Sequence, residues 1–188
     1  MKKKNTKKEK NPLINTVFDI VSIVATAVIA VGICFSFLFR TIQVSGSSMW
    51  PTLEDGEQII LQSVYNEPKN GDIVVTAQPN ESPIIEDVLI KRIIATEGQT
   101  VSLELNPSGR YYDVYVDGVK LDEPYISEPV IRLLDYREPV TVPEGYVYVM
   151  GDNRNGSTDS RDDRIGMIRE EYIMGKAVFR TAPFGALN

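Results

Sequence analysis

Three serines lie within the four positions Ser45–Ser48, and Met49, Trp50 and Pro51 follow them directly. A serine hydroxyl becomes an effective nucleophile when a neighbouring base accepts its proton. A polar stretch of this kind is also typical of a surface loop, and the four residues alone do not separate the two interpretations. The chain contains no histidine, so a base for such a serine must be lysine, aspartate, glutamate or tyrosine.

Lys91 is the candidate base, because it interrupts the strand-like run VLIKRIIAT at 88–96. With a period of two residues, Leu89, Lys91 and Ile93 share one face of a strand. A lysine with the ordinary pKa of about 10.4 is neutral in about 0.04% of molecules at pH 7, whereas a pKa near 8 raises that fraction to roughly 10%. Burial among apolar side chains lowers a lysine pKa in this direction. The alternative is an edge-strand lysine that discourages aggregation.

A third polar segment, GDNRNGSTDSRDDRIG at 151–166, combines hydroxyl groups with acidic and arginine side chains. It fits a salt-bridged loop, and its oxygen donors (Asp152, Asn153, Asp159 and Asp162) also allow a calcium site. The calcium spacing D-x-[DN]-x-[DN]-G with a glutamate at position twelve is not met. The single cysteine, Cys34, and the absence of histidine exclude zinc sites built from four cysteines or from cysteine and histidine pairs. We therefore expect no metal.

These segments follow an uncharged apolar run of 20 residues, 20–39. As a helix rising about 1.5 Å per residue, it spans roughly 30 Å, the thickness of a bilayer's hydrocarbon core. A cleavable signal peptide would have a shorter apolar region ending in small residues, whereas this run ends in FSFLFR. We predict a transmembrane anchor at 16–39. Met49 and Trp50, close behind it, are candidates for an apolar rim at the lipid headgroups, with ordinary core packing of Trp50 as the alternative.

Charge is distributed unequally about the apolar run. Residues 1–10 contain six lysines and one glutamate, whereas from Thr41 onward there are 13 basic and 24 acidic residues. The excess of lysine before the run predicts a basic cytoplasmic tail at 1–15 and an extracytoplasmic domain at 40–188. An acidic domain without a basic stripe argues against nucleic-acid binding, although the tail by itself could serve as a nucleic-acid arm.

The domain after the anchor reads as all-β. Short segments rich in Val, Ile and Tyr alternate with Gly, Pro, Asn and Asp, and Asp117-Gly118 is a two-residue hairpin signal. The predicted strands are QIILQSV, DIVVTA, VLIKRIIAT, TVSLEL, YDVYVDGVKL and GYVYVMGD. Helical period is weak after Arg40, with at most short turns near LEDGE and REEYIMGK. We predict a barrel or paired antiparallel sheets.

Taken together, these segments resemble the type I signal peptidase family, the membrane-anchored Ser-Lys endopeptidases that remove signal peptides from exported proteins. GSSMWPTL is similar to the family's serine box and implies Ser48 as the nucleophile, while IKRIIATEGQTV is similar to its lysine box and implies Lys91 as the general base. GDNRNGSTDSRDDRIGMI resembles the last box, and GDIVV at 71–75 and IMGKAVFR at 173–180 also fit. The single predicted anchor is similar to the Gram-positive form.

The resemblance also implies supporting roles. Ser157 would hydrogen-bond to the lysine and orient it, and Arg92 would lie beside the base. The salt-bridged support of the loop would comprise Asp152, Asp159 and Arg161. Some members carry a serine two residues before the nucleophile that helps to hold the oxyanion. Here that position is Gly46, which leaves the backbone N–H of Ser48 as the assigned oxyanion donor.

The activity implied by the resemblance is acyl transfer through an acyl-enzyme, with no metal or organic cofactor. The family's small β subdomain would fall at about 106–141. Expected partners are preproteins emerging from the secretion translocon and the lipid bilayer, with the protein monomeric and single-pass in the plasma membrane. Two other classes remain open from the residues: an anchored adhesion or scaffold protein, and a self-cleaving Ser-Lys repressor, which should carry a DNA-binding helical domain.

Overall fold

The computed structural model describes residues 12–77 and 88–187. Its contacts divide the chain into two units, Met1–Leu38 and Phe39–Asn188. Most of the predicted basic tail, 1–11, lies outside the described residues, as does the segment 78–87.

The first unit contains helix α1, Pro12–Leu38. Between positions 20 and 38 the apolar surface is interrupted by three side-chain hydroxyls, and each donates to a backbone carbonyl of the preceding turn: Ser22 to Phe18, Thr26 to Ser22, and Ser36 to Ile33. These three hydroxyls are therefore satisfied within the helix, as an apolar surrounding requires. Its part Thr16–Leu38 is the one helix within 12–77 and 88–187 that is long and apolar enough to cross a membrane. Phe39, the last residue of the predicted anchor, already belongs to the first strand.

The second unit is built from short antiparallel strands and one 3-10 helix, Glu170–Tyr172. The strands of the described residues are β1 Phe39–Gln43, β2 Gln58–Gln62, β3 Ile73–Ala77, β4 Val88–Ala95, β5 Thr100–Leu105, β6 Tyr112–Val116, β7 Val119–Lys120, β8 Val140–Thr141, β9 Tyr146–Met150, β10 Ile168–Arg169, β11 Ile173–Thr181 and β12 Phe184–Ala186. They form an eight-stranded sheet in the order β1-β2-β11-β3-β4-β9-β10, with β12 beside β11, and a four-stranded sheet in the order β7-β6-β5-β8. The predicted fold class, one apolar N-terminal helix followed by an all-β unit, is confirmed.

Strand β4 lies in the middle of the large sheet and has a different environment on each face. It pairs with β3 so that Lys91 is opposite Val74 and Arg92 is opposite Ile73. Val74 belongs to one apolar cluster together with Leu89 and Ile93, whereas Ile73 belongs to another with Met49, Leu53 and Leu61. Adjacent residues of β4 therefore face opposite sides of the sheet, and the predicted shared face of Leu89, Lys91 and Ile93 is observed.

The small sheet begins earlier than the predicted 106–141. β5 starts at Thr100, and it pairs with β6 on one side and with β8 on the other, so it belongs to this sheet. The hairpin between β6 and β7 turns at Asp117-Gly118, whose φ angles of 51° and 76° are both positive, as a type I′ turn requires. A third apolar cluster joins this sheet to the ends of β4 and β9 through Ile94, Tyr148 and Met150.

Candidate active site

Ser48 begins a tight turn between β1 and β2. The base of this connection is closed by Val44 N–H donating to Glu57 O at 2.8 Å and by Gly56 N–H donating to Val44 O at 2.9 Å. Met49 and Leu53 hold the turn from below, because their exposed fractions are 1% and 0%. Met49 is therefore a core residue, and the expectation that it forms an apolar rim is wrong. Trp50 is 44% exposed.

The backbone explains why a glycine precedes the serine turn. Gly46 has φ of +83°, a left-handed conformation that residues with a Cβ rarely adopt. Its N–H donates to Asp55 Oδ1 at 2.8 Å, which fixes the approach to Ser48. The serine found at this position in some family members would be strained in this conformation.

Lys91 reaches the serine from the middle of the large sheet. Its Nζ donates to Ser48 Oγ at 2.9 Å and to Ile90 O at 3.0 Å. Although the chain separates them by 43 positions, the two side chains are brought to hydrogen-bond distance. The lysine is 3% exposed, and burial of this kind favours the neutral amine over the ammonium.

Two cavities open on this pair. One, of about 340 Å³, is lined by Ser45–Ser48, Leu89, Lys91, Gly156, Thr158, Arg164 and Ile165. The other, of about 300 Å³, is lined by Ser45, Ser48, Val88–Lys91, Ile42 and Gln43. Ser48 and Lys91 therefore lie where two depressions meet, accessible to a molecule from outside.

Arg92 follows the lysine but points to the other side of the sheet. Its Nε and Nη2 donate to the two carboxylate oxygens of Asp152 at 2.9 and 2.8 Å, and its Nη1 donates to Gly71 O at 2.7 Å. Thr52 donates its hydroxyl to the same carboxylate. Arg92 thus follows the lysine in the sequence, but its charge is compensated by Asp152 on the opposite face.

Asp159 and Arg161 form the predicted ion pair inside the 151–166 loop. Arg161 Nε and Nη2 donate to the two carboxylate oxygens at 2.8 Å each, and both side chains are fully buried. Asp159 also accepts the N–H of Gly151 at 3.0 Å. The pair therefore closes the loop on itself at the point where it leaves β9.

Ser157 is buried, but its hydroxyl has no hydrogen-bond partner within residues 12–77 and 88–187. The expected hydrogen bond from Ser157 to the lysine is therefore not formed in this structure. The hydroxyl packs closely beside Gly151: a Cβ added to Gly151 would lie 2.3 Å from Ser157 Oγ and 2.4 Å from Ser48 O. Ser157 and Ser48 thus approach the same glycine.

The surroundings of the site are completed by three further side chains, those of Arg154, Glu123 and Tyr125. Arg154 donates to both oxygens of Glu123 at 3.0 and 2.6 Å, and the ring of Tyr125 lies 3.9 Å from the Arg92 guanidinium. Burial and the neighbouring Glu123 charge raise the pKa of Tyr125 to about 12. Burial alone would lower the pKa of Arg154, but Glu123 raises it above its ordinary value. Arg154 lay inside the loop singled out from the sequence, while Glu123 and Tyr125 carried no signal.

The three aspartates that could have supplied calcium ligands each form an ion pair with an arginine. Asp152, Asp159 and Asp162 pair with Arg92, Arg161 and Arg164, respectively. A cation would have to displace a guanidinium from each carboxylate. Within the described ranges there is no group of three or more acidic, histidine or cysteine side chains suited to a metal.

Comparison with known proteins identifies the class. The sequence profile of the family described as "Signal peptidase, peptidase S26" matches residues 17–182. Signal peptidase I T of Bacillus subtilis is 35% identical over 100% of this chain and 96% of its own length, and signal peptidase I of Bacillus licheniformis is 33% identical over 93% of each chain. The crystal structure of a signal peptidase I from Enterococcus faecalis is 28% identical, with a TM-score of 0.47, and the match covers 60% of this chain and 98% of that one.

The chain therefore belongs to the signal peptidase family, peptidase S26. The predicted assignment to the type I signal peptidases, which are serine peptidases, is confirmed, and the adhesion and repressor interpretations are set aside. The relatives named above are bacterial signal peptidases I, and the apolar helix α1 of this chain fits a membrane-anchored protein.

Proposed function

We propose that this protein removes signal peptides from exported preproteins by acyl transfer, with Ser48 as the nucleophile and Lys91 as the general base. The observation that carries the proposal is the 2.9 Å contact between Lys91 Nζ and Ser48 Oγ, at the junction of two open cavities. Family membership supports the removal of signal peptides, and the geometry supports the dyad.

The reaction begins with Lys91 in its neutral form. Ser48 Oγ attacks the carbonyl carbon of the scissile peptide bond while its proton passes to Lys91 Nζ. The resulting ammonium returns the proton to the departing amine of the mature protein, which leaves the signal peptide as an ester on Ser48. A water molecule then gives its proton to Lys91 and hydrolyses the ester, and the serine recovers its proton.

The tetrahedral intermediates need a donor for their oxyanion. We assign the backbone N–H of Ser48, which donates no hydrogen bond within the described part of the chain. Asn153 holds this turn from behind, because its N–H donates to Ser48 O at 3.0 Å and its Nδ2 donates to Ser47 O at 3.1 Å. A donor held in advance of the reaction stabilises developing charge at no reorganisation cost.

The substrate would bind as an extended strand across the two cavities. β9 pairs with β4 only from Arg92 to Ala95, so on that side Val88–Ile90 have no strand partner among the described residues. An extended peptide can add to such an edge through backbone hydrogen bonds, with alternate side chains entering pockets. The apolar side chains of Ile42, Leu89 and Ile90 make shallow walls suited to small residues on either side of one intervening position.

The membrane arrangement is also part of the proposal. We place the N-terminus in the cytoplasm and the second unit outside the plasma membrane, because six lysines precede the apolar helix. Preproteins leaving the translocon would then present their cleavage sites close to the outer membrane face. The protein would act as a monomer, with no cofactor.

Turnover of an Ala-x-Ala peptide by four single variants tests the dyad. Ser48→Ala and Lys91→Met should lower kcat/KM by about a thousandfold or more while the protein stays folded. Ser45→Ala and Ser47→Ala are the matched controls in the same turn and should retain most activity. The wild-type kcat/KM should rise with pH along a limb centred below the ordinary lysine pKa of about 10.4, because deprotonated Lys91 is the active form. Substantial activity in Lys91→Met would show that the base is another group.

A further inference from the structure

The segment between β7 and β8 is bound to the 151–161 loop by hydrogen bonds. Asn155 Oδ1 accepts the N–H groups of Ile131 at 2.8 Å and Arg132 at 3.2 Å, and Arg161 Nη1 donates to Arg132 O at 2.9 Å. These bonds join a segment outside the serine, lysine and last boxes to the loop that holds the serine turn. A displacement of this segment would therefore displace the loop.

Glu123, in the same segment, forms an ion pair with Arg154 of the loop. The two hydrogen bonds from Arg154 give a bidentate ion pair, in which the arginine side chain is 0% and the glutamate side chain 9% exposed. Arg154 also donates its Nε to Gly151 O at 3.1 Å. Without the glutamate, the guanidinium would keep a buried and uncompensated charge, so it would move or draw water into the loop.

A movement of Arg154 would be passed to the serine turn by residues that contact both. Asn153, its neighbour in the chain, makes the two hydrogen bonds to the carbonyls of Ser47 and Ser48. Gly151, whose carbonyl Arg154 holds, packs so closely on Ser48 O that there is no room for a Cβ. Arg154 is therefore linked to the serine turn in two ways, through its chain neighbour Asn153 and through its hydrogen bond to Gly151 O.

The same segment also touches the strand of the base. Tyr125 donates its hydroxyl to Glu123 Oε1 at 3.1 Å, and its ring lies 3.9 Å from the guanidinium of Arg92 and 5.9 Å from that of Arg154. Stacking of an arginine on an aromatic face is favourable and restricts both side chains. Arg92 directly follows Lys91, so both members of the dyad are adjacent to residues that this segment holds.

We propose that Glu123 is a positioning residue for the reaction: through Arg154 and Tyr125 it sets the separation of Ser48 Oγ and Lys91 Nζ. The proposal rests on the proposed function of these two groups. It assigns the connection between β7 and β8 a part in catalysis, although that connection supplies no group that touches the substrate.

The test compares Glu123→Gln with Asp113→Asn in the full chain. Both replace a carboxylate by its amide, but Asp113 pairs with the half-exposed Lys120 at 2.9 Å and accepts a hydrogen bond from Asn106. Within residues 12–77 and 88–187, its side chain has no hydrogen bond or ion pair with the 151–166 loop. In Glu123→Gln, kcat per folded molecule should fall by about tenfold to a hundredfold with KM changed by less than about threefold, because small displacements of reacting groups cost about this much. The alkaline limb of its pH profile should also shift, because the Nζ–Oγ contact changes. Asp113→Asn should keep the wild-type kcat and pH profile.

A purely structural role would lower the folded fraction, measured by circular dichroism at the assay temperature, and would leave kcat per folded molecule and the pH profile unchanged. That result overturns the proposal, provided that Ser48→Ala measured alongside is inactive. If Ser48→Ala remains active, the proposed function itself fails, and this inference falls with it.

Two milder variants keep the proposal testable if Glu123→Gln does not fold. Glu123→Asp retains a carboxylate and should recover part of the lost kcat. Tyr125→Phe keeps the charges of Glu123 and Arg154 and the stacked ring, but it removes the hydrogen bond to Glu123. This variant should lower kcat severalfold. Wild-type kcat in folded Tyr125→Phe and Glu123→Asp would overturn the proposal.

Discussion

Lys91 combines burial with a polar contact in a way that few lysines do. Lysine is almost never fully buried unless it is paired, and Lys91 Nζ donates to a serine hydroxyl and to a backbone carbonyl. The nearby carboxylate of Asp152 compensates Arg92 on the other face of the sheet. Burial of Lys91 favours the neutral amine through desolvation, which is what a general base at neutral pH requires.

Tyr125 gives a prediction at the scale of one residue. Burial and the Glu123 charge raise its pKa to about 12 in the folded protein, whereas the ordinary tyrosine pKa is about 10. Between these two values the unfolded chain loses the phenolic proton more readily, so stability should fall as the pH rises from about 10 through 12. Thermal melts at pH 9 and pH 11 should show a smaller alkaline loss for Tyr125→Phe than for the wild type. Equal losses would mean that the phenol does not contribute.

At the scale of elements, the functional geometry depends on how the loop after β9 packs on the serine turn. Gly151 lies where β9 ends, with its N–H bound to Asp159 and its carbonyl bound to Arg154. The buried ion pairs of Arg92 and Arg161 hold the two ends of the loop. Removing one partner of such a pair is costly, since it leaves a buried charge without compensation.

Gly151→Ala tests this packing directly. The added methyl would lie 2.3 Å from Ser157 Oγ and 2.4 Å from the carbonyl oxygen of Ser48, so the loop or the turn must shift. We expect a loss of about 1–3 kcal/mol of stability, typical of overpacking, and at least about tenfold lower kcat. Gly185→Ala is the matched control, because nothing lies within 4 Å of its added Cβ. Wild-type turnover in Gly151→Ala would show that the serine turn does not depend on this contact.

At the scale of the whole molecule, the second unit contains both members of the proposed dyad, and it begins with a strand. β1 starts at Phe39, directly after α1, and pairs with β2 over all five of its residues. Ile42 of β1 packs against the cluster that contains Met49. β1 therefore belongs to the fold of the second unit and does not act as a linker.

Shortened chains should separate localisation from catalysis. A chain that starts at Phe39 keeps β1 and should cleave a soluble Ala-x-Ala peptide, whereas a chain that starts at Val44 loses a five-residue strand and should be less stable and less active. Melting curves and turnover of the two chains provide the comparison. A folded chain from Phe39 that stays inactive in detergent and with added lipid would mean that α1 contributes more than an anchor.

The sequence by itself determined the features that depend on neighbouring residues. Strand periodicity located β2 to β6 and β9, and the hairpin at Asp117-Gly118 followed from two residues that tolerate positive φ. The apolar run was read from its length and composition. β1 was missed because Phe39 continues that run, and most of β11 was missed because Gly175 and two register shifts interrupt its pattern.

The tertiary structure decided which distant groups meet. Ser48 and Lys91 are 43 positions apart, and Glu123 and Arg154 are 31 apart; no local pattern encodes either distance. The resemblance to a family suggested the first pair, but only the fold shows that Arg92 faces away from the lysine and that Glu123 and Tyr125 adjoin the loop. The fold also shows that the Ser157 hydroxyl has no hydrogen-bond partner among residues 12–77 and 88–187. Such contacts depend on sheet order and on burial, which arise when the chain closes on itself, so they cannot be read from residue types and spacing alone.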